Sequence, residues 1–145
     1  VLSEDGLAID FWEIAMRPGK PLMFGHYRNV PMIGLPGNPV STMVCALLFL
    51  KPAIDRRGGL PEGGEGPLTA RLRVAVKRND RRQDYLRATL QHGATGSLVA
   101  TPIKVQDSSM MAALAKADCL VIREPFAPSA MAGTRTAILR LTRPF

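Results

Sequence analysis

The chain has 145 residues, 46% hydrophobic and 21% charged, which is enough for one ordinary domain or two small ones. Nineteen Lys and Arg against 12 Asp and Glu give a formal net charge of +7, which favours anionic partners such as phosphate esters, oxyanions or nucleic acid. No apolar run reaches the roughly 18 residues that a membrane-spanning helix needs, so membrane insertion is not expected.

The first 57 residues are predicted to form short strands followed by one helix. Residues 7–16 are rich in β-branched and aromatic side chains and predict a strand, and residues 17–21, with two prolines and a glycine, predict a turn. Two further short strands are predicted at 22–24 and 30–33. Tyr27, Arg28 and Asn29 between them suit a hairpin.

The helix is predicted to begin at residue 38 and to run to about residue 54. Asn38 suits the N-cap, because its side chain can accept a hydrogen bond from an amide of the first turn. Pro39 suits the first helical position, where no amide donor is needed. Pro52 predicts a bend. Apolar side chains recur at the three- to four-residue spacing of a buried helix face at Val40, Met43, Val44, Leu47 and Leu48.

The second half of the chain has a different apolar period. Residues 58–67 contain five glycines and two prolines, so they are predicted to be a hinge. Apolar and polar residues then alternate over 68–78, which indicates a strand with one buried face. Further strands are predicted at 85–91, 97–105, 119–123 and 134–142, and a short helix at 109–117. This set indicates a small β-barrel or an open sandwich.

The loop at 34–41, Gly-Leu-Pro-Gly-Asn-Pro-Val-Ser, is the first candidate site. A strand that enters a helix through such a loop presents backbone amides, and the helix dipole favours an anion there. Gly37 allows close backbone approach to a ligand. An ordinary capped helix is the alternative interpretation, and the loop does not match the nucleotide-binding fingerprints.

Three further segments are candidate sites. Arg17 and Lys20 are two cations on a stiff turn that could clamp a phosphate, or could form an exposed basic turn. Arg87, in the basic segment 82–87, could hold an oxyanion with its guanidinium fork. Residues 106–109, Gln-Asp-Ser-Ser, precede the short helix, where a serine could either cap the helix or contact a ligand.

Other cations and the metal-binding residue types are less informative. For Arg71, Arg73 and Lys77 a solvated strand face is favoured over RNA contact, because aromatic residues do not interleave with the basic ones. Cys45 and Cys119 are far apart and the two histidines are isolated, so a metal site within this chain is not expected and the cysteines are predicted to be buried free thiols. Free thiols fit the cytoplasm.

Taken in order, four segments resemble the molybdopterin molybdenumtransferase family, the bacterial relatives of the gephyrin E domain. The resembling segments are 16–21, 34–41, 82–87, and 106–109 followed by Leu114, Ala115 and Ala117. The resemblance covers nearly all of the chain. It implies an α/β plus all-β fold: residues 1–57 as the end of a three-layer α/β molybdopterin-binding domain, 58–67 as a hinge, and 68–145 as a C-terminal β-barrel-like domain.

The resemblance also implies an activity. Members of this family insert molybdate into adenylated molybdopterin with release of AMP, use a divalent metal, here Mg²⁺, and work as elongated homodimers. The Mg²⁺ ligands are expected upstream of this chain, together with a glycine-rich half of the α/β domain. We therefore expect the isolated chain not to complete molybdenum insertion.

By the same resemblance, ten residues are candidates for the site. Lys20 and Arg17 are the catalytic candidates that contact the anionic ligand, although the family commonly has lysine where this chain has Arg17. Residues lining the molybdopterin and molybdate site are expected to be Pro36, Gly37, Asn38, Pro39 and Ser41. Further contacts from the C-terminal domain are expected to be Arg82, Arg87 and Ser108.

The expected partners are small-molecule substrates, a second copy of the parent protein, and other molybdenum cofactor assembly proteins. Neither a membrane nor a nucleic acid is expected as a partner. A non-catalytic module that docks partner proteins is the main alternative function, and a basic RNA-binding domain is a weaker one.

Overall fold

The structure is a computed structural model, and it describes residues 6–60, 68–93, 96–104, 106 and 111–141. The chain divides into two compact units, Val1–Glu62 and Gly63–Phe145. The first unit combines a small sheet with a helix, and the second is built mainly from strands.

The first unit contains a three-stranded antiparallel sheet in the order β1-β3-β4. Its strands are β1 Leu7–Phe11, β3 Met23–Tyr27 and β4 Val30–Gly34. The two-residue strand β2, Met16–Arg17, lies between β1 and β3 in the sequence and is not part of this sheet. The hairpin between β3 and β4 turns at Arg28 and Asn29, with Arg28 at φ 55°. Gly25 of β3 lies opposite Ile9, where a Cβ atom would come within 2.2 Å of the Ala8 carbonyl oxygen. Glycine is therefore required for β1 to pair with β3 at this point.

The strand predicted over 7–16 is wrong in its second half. β1 ends at Phe11, and the backbone amides that follow are satisfied within the turn. Ile14 donates to the Lys20 carbonyl at 3.0 Å, and Met16 donates to the Ile14 carbonyl at 2.9 Å. These local hydrogen bonds bend the chain back on itself, so a straight strand cannot continue.

The helix is continuous over 39–57 and changes its winding once. It consists of α1 Pro39–Cys45, a π-helical turn Ala46–Leu50, and α2 Lys51–Arg57. The Lys51 amide donates to the Ala46 carbonyl, one residue further back than in an α-helix. Pro52 follows at once. Its ring would clash with the carbonyl four residues earlier in a regular helix, so the wider π turn relieves this clash and the helix passes the proline. It ends at Arg57 rather than near the predicted residue 54.

Five strands of the second unit close into a barrel in the order β6-β7-β5-β9-β8, with β8 pairing back onto β6. Of the two sequence-based alternatives, the barrel is confirmed. All pairs are antiparallel except β5 with β7. The strands and the short helix are β5 Leu68–Leu72, β6 Gln83–His92, β7 Leu98–Pro102, α3 Met111–Ala115, β8 Cys119–Arg123 and β9 Arg135–Arg140.

The barrel encloses a core of small and branched side chains. The buried core residues are Ala70, Leu72, Ala88, Ala100, Cys119, Val121, Ala130 and Ile138. The strand predicted over 68–78 is too long, because β5 ends at Leu72 and the chain bends. Val74, which the alternation pattern assigned to the buried face, is 45% exposed. Val76 then pairs with Ala130 through an isolated bridge.

Candidate functional site

The basic turn of the first unit presents two cations to solvent. Arg17 is exposed, and the Lys20 side chain is 51% exposed. The Lys20 ammonium lies 3.0 Å from a carboxylate oxygen of Glu13, whose side chain is 48% exposed. An ion pair this open to water contributes at most about 1 kcal/mol. An anion with a higher charge than a carboxylate can therefore compete with Glu13 for the Lys20 ammonium.

Gly19 fixes this turn against the helix. It is buried, has a φ of +115°, and its carbonyl oxygen lies 3.8 Å from Cys45 Sγ at the end of α1. A Cβ atom on Gly19 would come within 2.6 Å of that sulfur. Only glycine combines the positive φ with so close an approach. The helix thus sets the position of the turn between Arg17 and Lys20.

The loop before α1 is capped as predicted. The Asn38 side chain accepts hydrogen bonds from the amides of Val40 at 3.2 Å and Ser41 at 3.4 Å, and Pro39 occupies the first turn. Thr42 Oγ1 donates to the Asn38 carbonyl at 2.9 Å and to the Pro36 carbonyl. The loop is therefore held by its own polar groups.

This capping changes where an anion could approach the loop. The Val40 and Ser41 amides already donate to Asn38. Pro36 is buried, and Ser41 is only 6% exposed. Gly37 is exposed, and a Cβ atom placed on it would meet nothing within 4 Å. Within this loop, the backbone at Gly37 is the most open point of approach.

In the second unit, a turn at residues 79–82 carries Arg82. Its guanidinium donates to the Asp80 carboxylate at 2.9 Å, and its amide donates to the same carboxylate at 2.8 Å. The hydrogen bond to Asp80 raises the pKa of Arg82 above its usual value. The guanidinium therefore stays charged, and Asp80 orients it.

Asn79 anchors this turn, and the sequence analysis did not single it out. Its side chain is 7% exposed and donates to the carbonyls of Arg82 at 2.7 Å, Arg123 at 3.0 Å and Glu124 at 2.9 Å. Its side-chain oxygen accepts from the Asp80 amide at 2.9 Å. Asn79 thus ties the Arg82 turn to the end of β8. An asparagine beside an aspartate is typical of a turn, but nothing in the sequence indicates partners 44 and 45 residues away.

Arg87 lies in β6 between the core-facing residues Leu86 and Ala88, so its side chain leaves the strand on the outer face. It is nevertheless only 1% exposed. The Gln106 side chain forms two hydrogen bonds with the Arg87 backbone. Its oxygen accepts from the Arg87 amide and its nitrogen donates to the Arg87 carbonyl, both at 3.0 Å. Ser108 lies outside the described residues. Arg82 and Arg87 belong to the same turn-and-strand segment, and their ligand-binding roles stay predictions.

The buried polar residues of the barrel also include the charged residues Asp84 and Arg123. Asp84 and Arg123 are in register on β6 and β8 and are 5% and 9% exposed. Arg123 also donates to the Pro128 carbonyl. These two charged residues are buried where β6 and β8 pair, beside the turn that carries Arg82.

The described residues do not gather into a metal site. Within 6–60, 68–93, 96–104, 106 and 111–141, no group of three or more His, Cys, Asp or Glu side chains could hold a metal ion. Cys45 and Cys119 are buried free thiols, as predicted, and burial raises the pKa of Cys45 to about 11 and that of Cys119 to about 12.

The helices leave no candidate for a membrane span in the part of the chain that the structure describes. None of them is both long enough and apolar enough to cross a bilayer.

Two family descriptions match the chain, one on each unit. "Probable molybdopterin binding domain" matches residues 2–56, and "MoeA C-terminal region (domain IV)" matches residues 69–141. The two matches follow each other along the sequence and together cover most of it.

Named relatives agree with these matches. The chain is 30% identical over 131 residues to "Molybdopterin molybdenumtransferase" of Haemophilus influenzae, which covers 90% of the chain and 32% of that protein. It is 33% identical over 86 residues to "Molybdopterin molybdenumtransferase 2" of Mycobacterium tuberculosis, which covers 59% of the chain and 21% of that protein. The chain thus spans about a third or less of the length of these relatives.

Solved structures share the fold. A molybdopterin biosynthesis MoeA protein from Pyrococcus horikoshii superimposes with a TM-score of 0.76 at 28% identity, over 96% of this chain and 33% of that one. A molybdenum cofactor biosynthesis protein from Pyrococcus furiosus gives a TM-score of 0.76 at 19% identity, over 93% of this chain and 46% of that one. At 19% identity the second likeness concerns the fold alone.

Proposed function

This chain belongs to the molybdopterin molybdenumtransferase family, and we propose that it supplies part of the substrate-binding surface with which the parent enzyme inserts molybdate into adenylated molybdopterin and releases AMP. Lys20 and Arg17 are proposed as the catalytic cations. Pro36, Gly37, Asn38, Pro39 and Ser41 are proposed to line the site, and Arg82, Arg87 and Ser108 to contribute further contacts.

One observation in the first unit carries this proposal. A single helix fixes both candidate segments: α1 begins at the loop that Asn38 caps, and its last residue, Cys45, packs against Gly19 in the basic turn. Cations and backbone donors that are fixed before the substrate arrives lower the cost of ordering it. Molybdate and the pterin phosphate are both anions, so they match the charge of this surface.

Within this arrangement, Lys20 is an exposed charge that a ligand could use. It holds Glu13 in a solvent-exposed ion pair. A dianion competes with a monoanionic carboxylate for the same ammonium, and it gains more electrostatic energy at the same distance. We therefore propose that Glu13 holds Lys20 in place and yields it to the substrate.

Substitution of Lys20 in the full-length parent tests the proposal. Lys20→Gln should lower molybdate-dependent AMP release at least tenfold, because the ammonium is lost while the side chain stays similar in length. Lys51→Gln is the matched control, since Lys51 is also exposed and pairs with a carboxylate, Asp55. Lys51→Gln should change the rate less than twofold. Equal rates for Lys20→Gln and the wild type would contradict the proposal and favour the partner-docking alternative.

Substitution of Glu13 tests the same contact with the opposite sign. Glu13→Gln removes the competing carboxylate from Lys20, so the KM for molybdate should fall by about twofold to fivefold, corresponding to a surface ion pair worth up to about 1 kcal/mol. Asp55→Gln, beside Lys51, should leave this KM unchanged. A rise in KM for Glu13→Gln would show that the carboxylate assists binding.

We propose the remaining properties for the parent protein. It acts in the cytoplasm as a homodimer and contacts other molybdenum cofactor assembly proteins. It takes Mg²⁺ on residues outside the described part of this chain. The 145-residue chain alone should bind substrate anions without completing insertion, which an AMP-release assay of the purified chain checks directly.

A further inference from the structure

The outer face of the barrel carries three exposed arginines close together. Arg71 of β5 and Arg135 of β9 are in register, and both are exposed. The residues on either side of Arg71 belong to the core, so Arg71 itself leaves its strand on the outer face. Arg73 follows two residues later, and its guanidinium reaches the exposed side chain of Gln91 on β6. We call Arg71, Arg73 and Arg135 the basic face.

Two arginines of the basic face are oriented by acceptors that carry no charge. Arg71 Nη1 donates to the Gly133 carbonyl at 2.9 Å, and Arg73 Nη2 donates to the Gln91 amide oxygen at 3.5 Å. A neutral acceptor uses one of the guanidinium donors and leaves the positive charge uncompensated. The remaining donors are therefore available to an anion that approaches from solvent.

The basic face differs from three other cations of the described chain, which are paired with carboxylates. Lys20, Lys51 and Arg82 each form such an ion pair. Among the residues that the structure describes, the three arginines of the basic face form none. Arg71 and Arg135 also place like charges directly opposite each other, which weakens the pairing of β5 with β9. Carboxylates supplied by a partner would relieve this repulsion.

The spacing of the basic face fits an extended polypeptide with acidic residues at alternate positions. The Arg73 amide donates to the Ala100 carbonyl at 2.9 Å, so the chain still runs alongside β7 at this residue. Residues two apart along an extended chain are separated by about 6.7 Å, which is also the interval between side chains on one face of an extended peptide. Such a peptide can meet Arg71 and Arg73 with successive carboxylates. Arg135 lies on the neighbouring strand, about 4.8 Å to the side.

The surroundings of the basic face favour a polypeptide over a single-stranded nucleic acid. Proteins that bind single strands stack the bases on aromatic side chains beside the cations. The strand residues next to the basic face are Thr69, Val99 and Ala137, and none of them is aromatic. The exposed Phe126 lies elsewhere, because its amide donates to the Asp80 carbonyl in the turn that carries Arg82.

We propose that the basic face is a docking surface for an acidic, extended segment of a partner protein. None of the residues proposed for the molybdate site belongs to this face, so the inference is independent of the proposed function. An exposed arginine gains little from one small anion, because solvent screens the pair. A segment with several carboxylates engages all three arginines at once, so each further contact forms within the same complex.

Fluorescence anisotropy of a labelled peptide of alternating glutamate and serine, titrated with the purified chain, tests this proposal. Saturable binding is expected at an ionic strength of about 0.1 M, with a Kd at least tenfold below that of the same peptide with glutamine in place of glutamate. Arg135→Glu should raise the Kd at least fivefold, because the new carboxylate pairs with Arg71 and repels the peptide. Arg73→Gln should raise the Kd about threefold, the loss of one exposed charge contact.

Arg140→Glu is the matched control, because it changes the net charge by the same amount at the other end of β9. The two ends are about 17 Å apart, beyond the screening length of about 10 Å at this ionic strength, so its Kd should change less than twofold. Amide hydrogen exchange across β5 and β9 checks that each variant keeps the barrel. Equal losses for Arg135→Glu and Arg140→Glu, or no saturable binding by the wild type, would overturn the inference. Tighter binding of an oligothymidylate than of the glutamate peptide would also overturn it, in favour of a nucleic acid.

Discussion

The two candidate regions keep their polar groups in place by different means. At the start of α1, the Asn38 side chain accepts from the amides of Val40 and Ser41, and Thr42 donates to the carbonyls of Asn38 and Pro36. All of these hydrogen bonds span two to six positions of sequence. The barrel corner is formed by residues 79–87 together with Gln106, which bonds to the Arg87 backbone. Here Asn79 and Gln106 bond to backbone groups up to 45 and 19 positions away. The first arrangement can form as the helix forms, whereas the second exists only when the barrel has closed.

The two regions are therefore sensitive to substitution to different degrees. Loss of a local cap weakens one turn of helix, because the remaining contacts of the helix do not depend on it. Loss of a long-range clamp leaves several carbonyl groups without donors at once. The barrel corner should therefore respond much more strongly to single substitutions than the helix start does.

Asn79→Ala is expected to have the largest effect. It removes the donor from the carbonyls of Arg82, Arg123 and Glu124. The bond to the Arg123 carbonyl is buried and the other two are part-buried. A buried polar group left without a partner costs about 1–3 kcal/mol, so the free energy of unfolding of the barrel should fall by about 2 kcal/mol. Urea denaturation followed by NMR of barrel amides measures this, and Gln91→Ala should stay within about 0.5 kcal/mol of wild type. A loss below about 0.5 kcal/mol for Asn79→Ala would refute the comparison.

Alkaline pH should weaken both units through their buried thiols. Below about pH 8 the thiols are neutral in both the folded and the unfolded chain, so they contribute no pH dependence. Above this, the unfolded thiols ionise while burial keeps the pKa of Cys45 at about 11 and that of Cys119 at about 12, so stability falls as pH rises toward those values. About 1 kcal/mol per thiol should be lost by pH 10.

Two measurements check the thiol prediction. Cys119→Ala should lose about 1 kcal/mol less between pH 8 and pH 10 than the wild type does, as measured by urea denaturation. Iodoacetamide labelling should modify Cys45 at a lower pH than Cys119, because the charge of Asp118 adds to burial in raising the pKa of Cys119. Labelling of Cys119 at a lower pH than Cys45 would contradict this prediction.

Asn38→Ala should have a smaller effect, confined to the helix start. An N-cap asparagine contributes about 1 kcal/mol, and its loss exposes the amides of Val40 and Ser41. Hydrogen exchange at these amides should accelerate, while the amides of α2 stay protected. Asn38→Asp, which keeps the acceptor, is the control and should match wild type. Faster exchange along the whole helix would show that the cap is not a local device.

Arg135→Glu should give the smallest change, and it should be stabilising. Arg71 and Arg135 are exposed and in register on β5 and β9, so two like charges face each other. Converting one to glutamate should add about 0.5 kcal/mol at low salt, with less at high salt. Arg140→Glu, on the same strand opposite Cys119, is the control and should show no such gain. A stability change independent of salt would argue against an electrostatic cause.

Features that depend on neighbouring residues could be predicted from the sequence, whereas features that depend on long-range contacts could not. The N-cap at Asn38, the proline at the first helical position and the hairpin near Arg28 depend on neighbouring residues, and all three are confirmed. The alternating strands predicted a small barrel or an open sandwich. Only the pairing of β8 with β6, which closes the barrel, decides between them.

Two misjudged strands show where local pattern fails. The segments after Phe11 and after Leu72 carry strand-like residues, but turns take up the backbone there. The same limit applies to the candidate site. Arg82, Arg87 and residues 106–109 could be selected by residue type, whereas the clamps made by Asn79 and Gln106 depend on contacts that only the folded barrel creates.

We expect this chain to bind oxyanions at the proposed residues rather than anywhere on its basic surface. Titration of the purified chain with sodium molybdate, followed by ¹⁵N-edited NMR, tests it most directly. Saturable shifts are predicted at the amides of Lys20 and Gly37 and at the guanidinium groups of Arg82 and Arg87, with little change at Arg71 and Arg135. Shifts spread evenly over all exposed arginines and lysines, or centred on Arg71 and Arg135, would contradict the account.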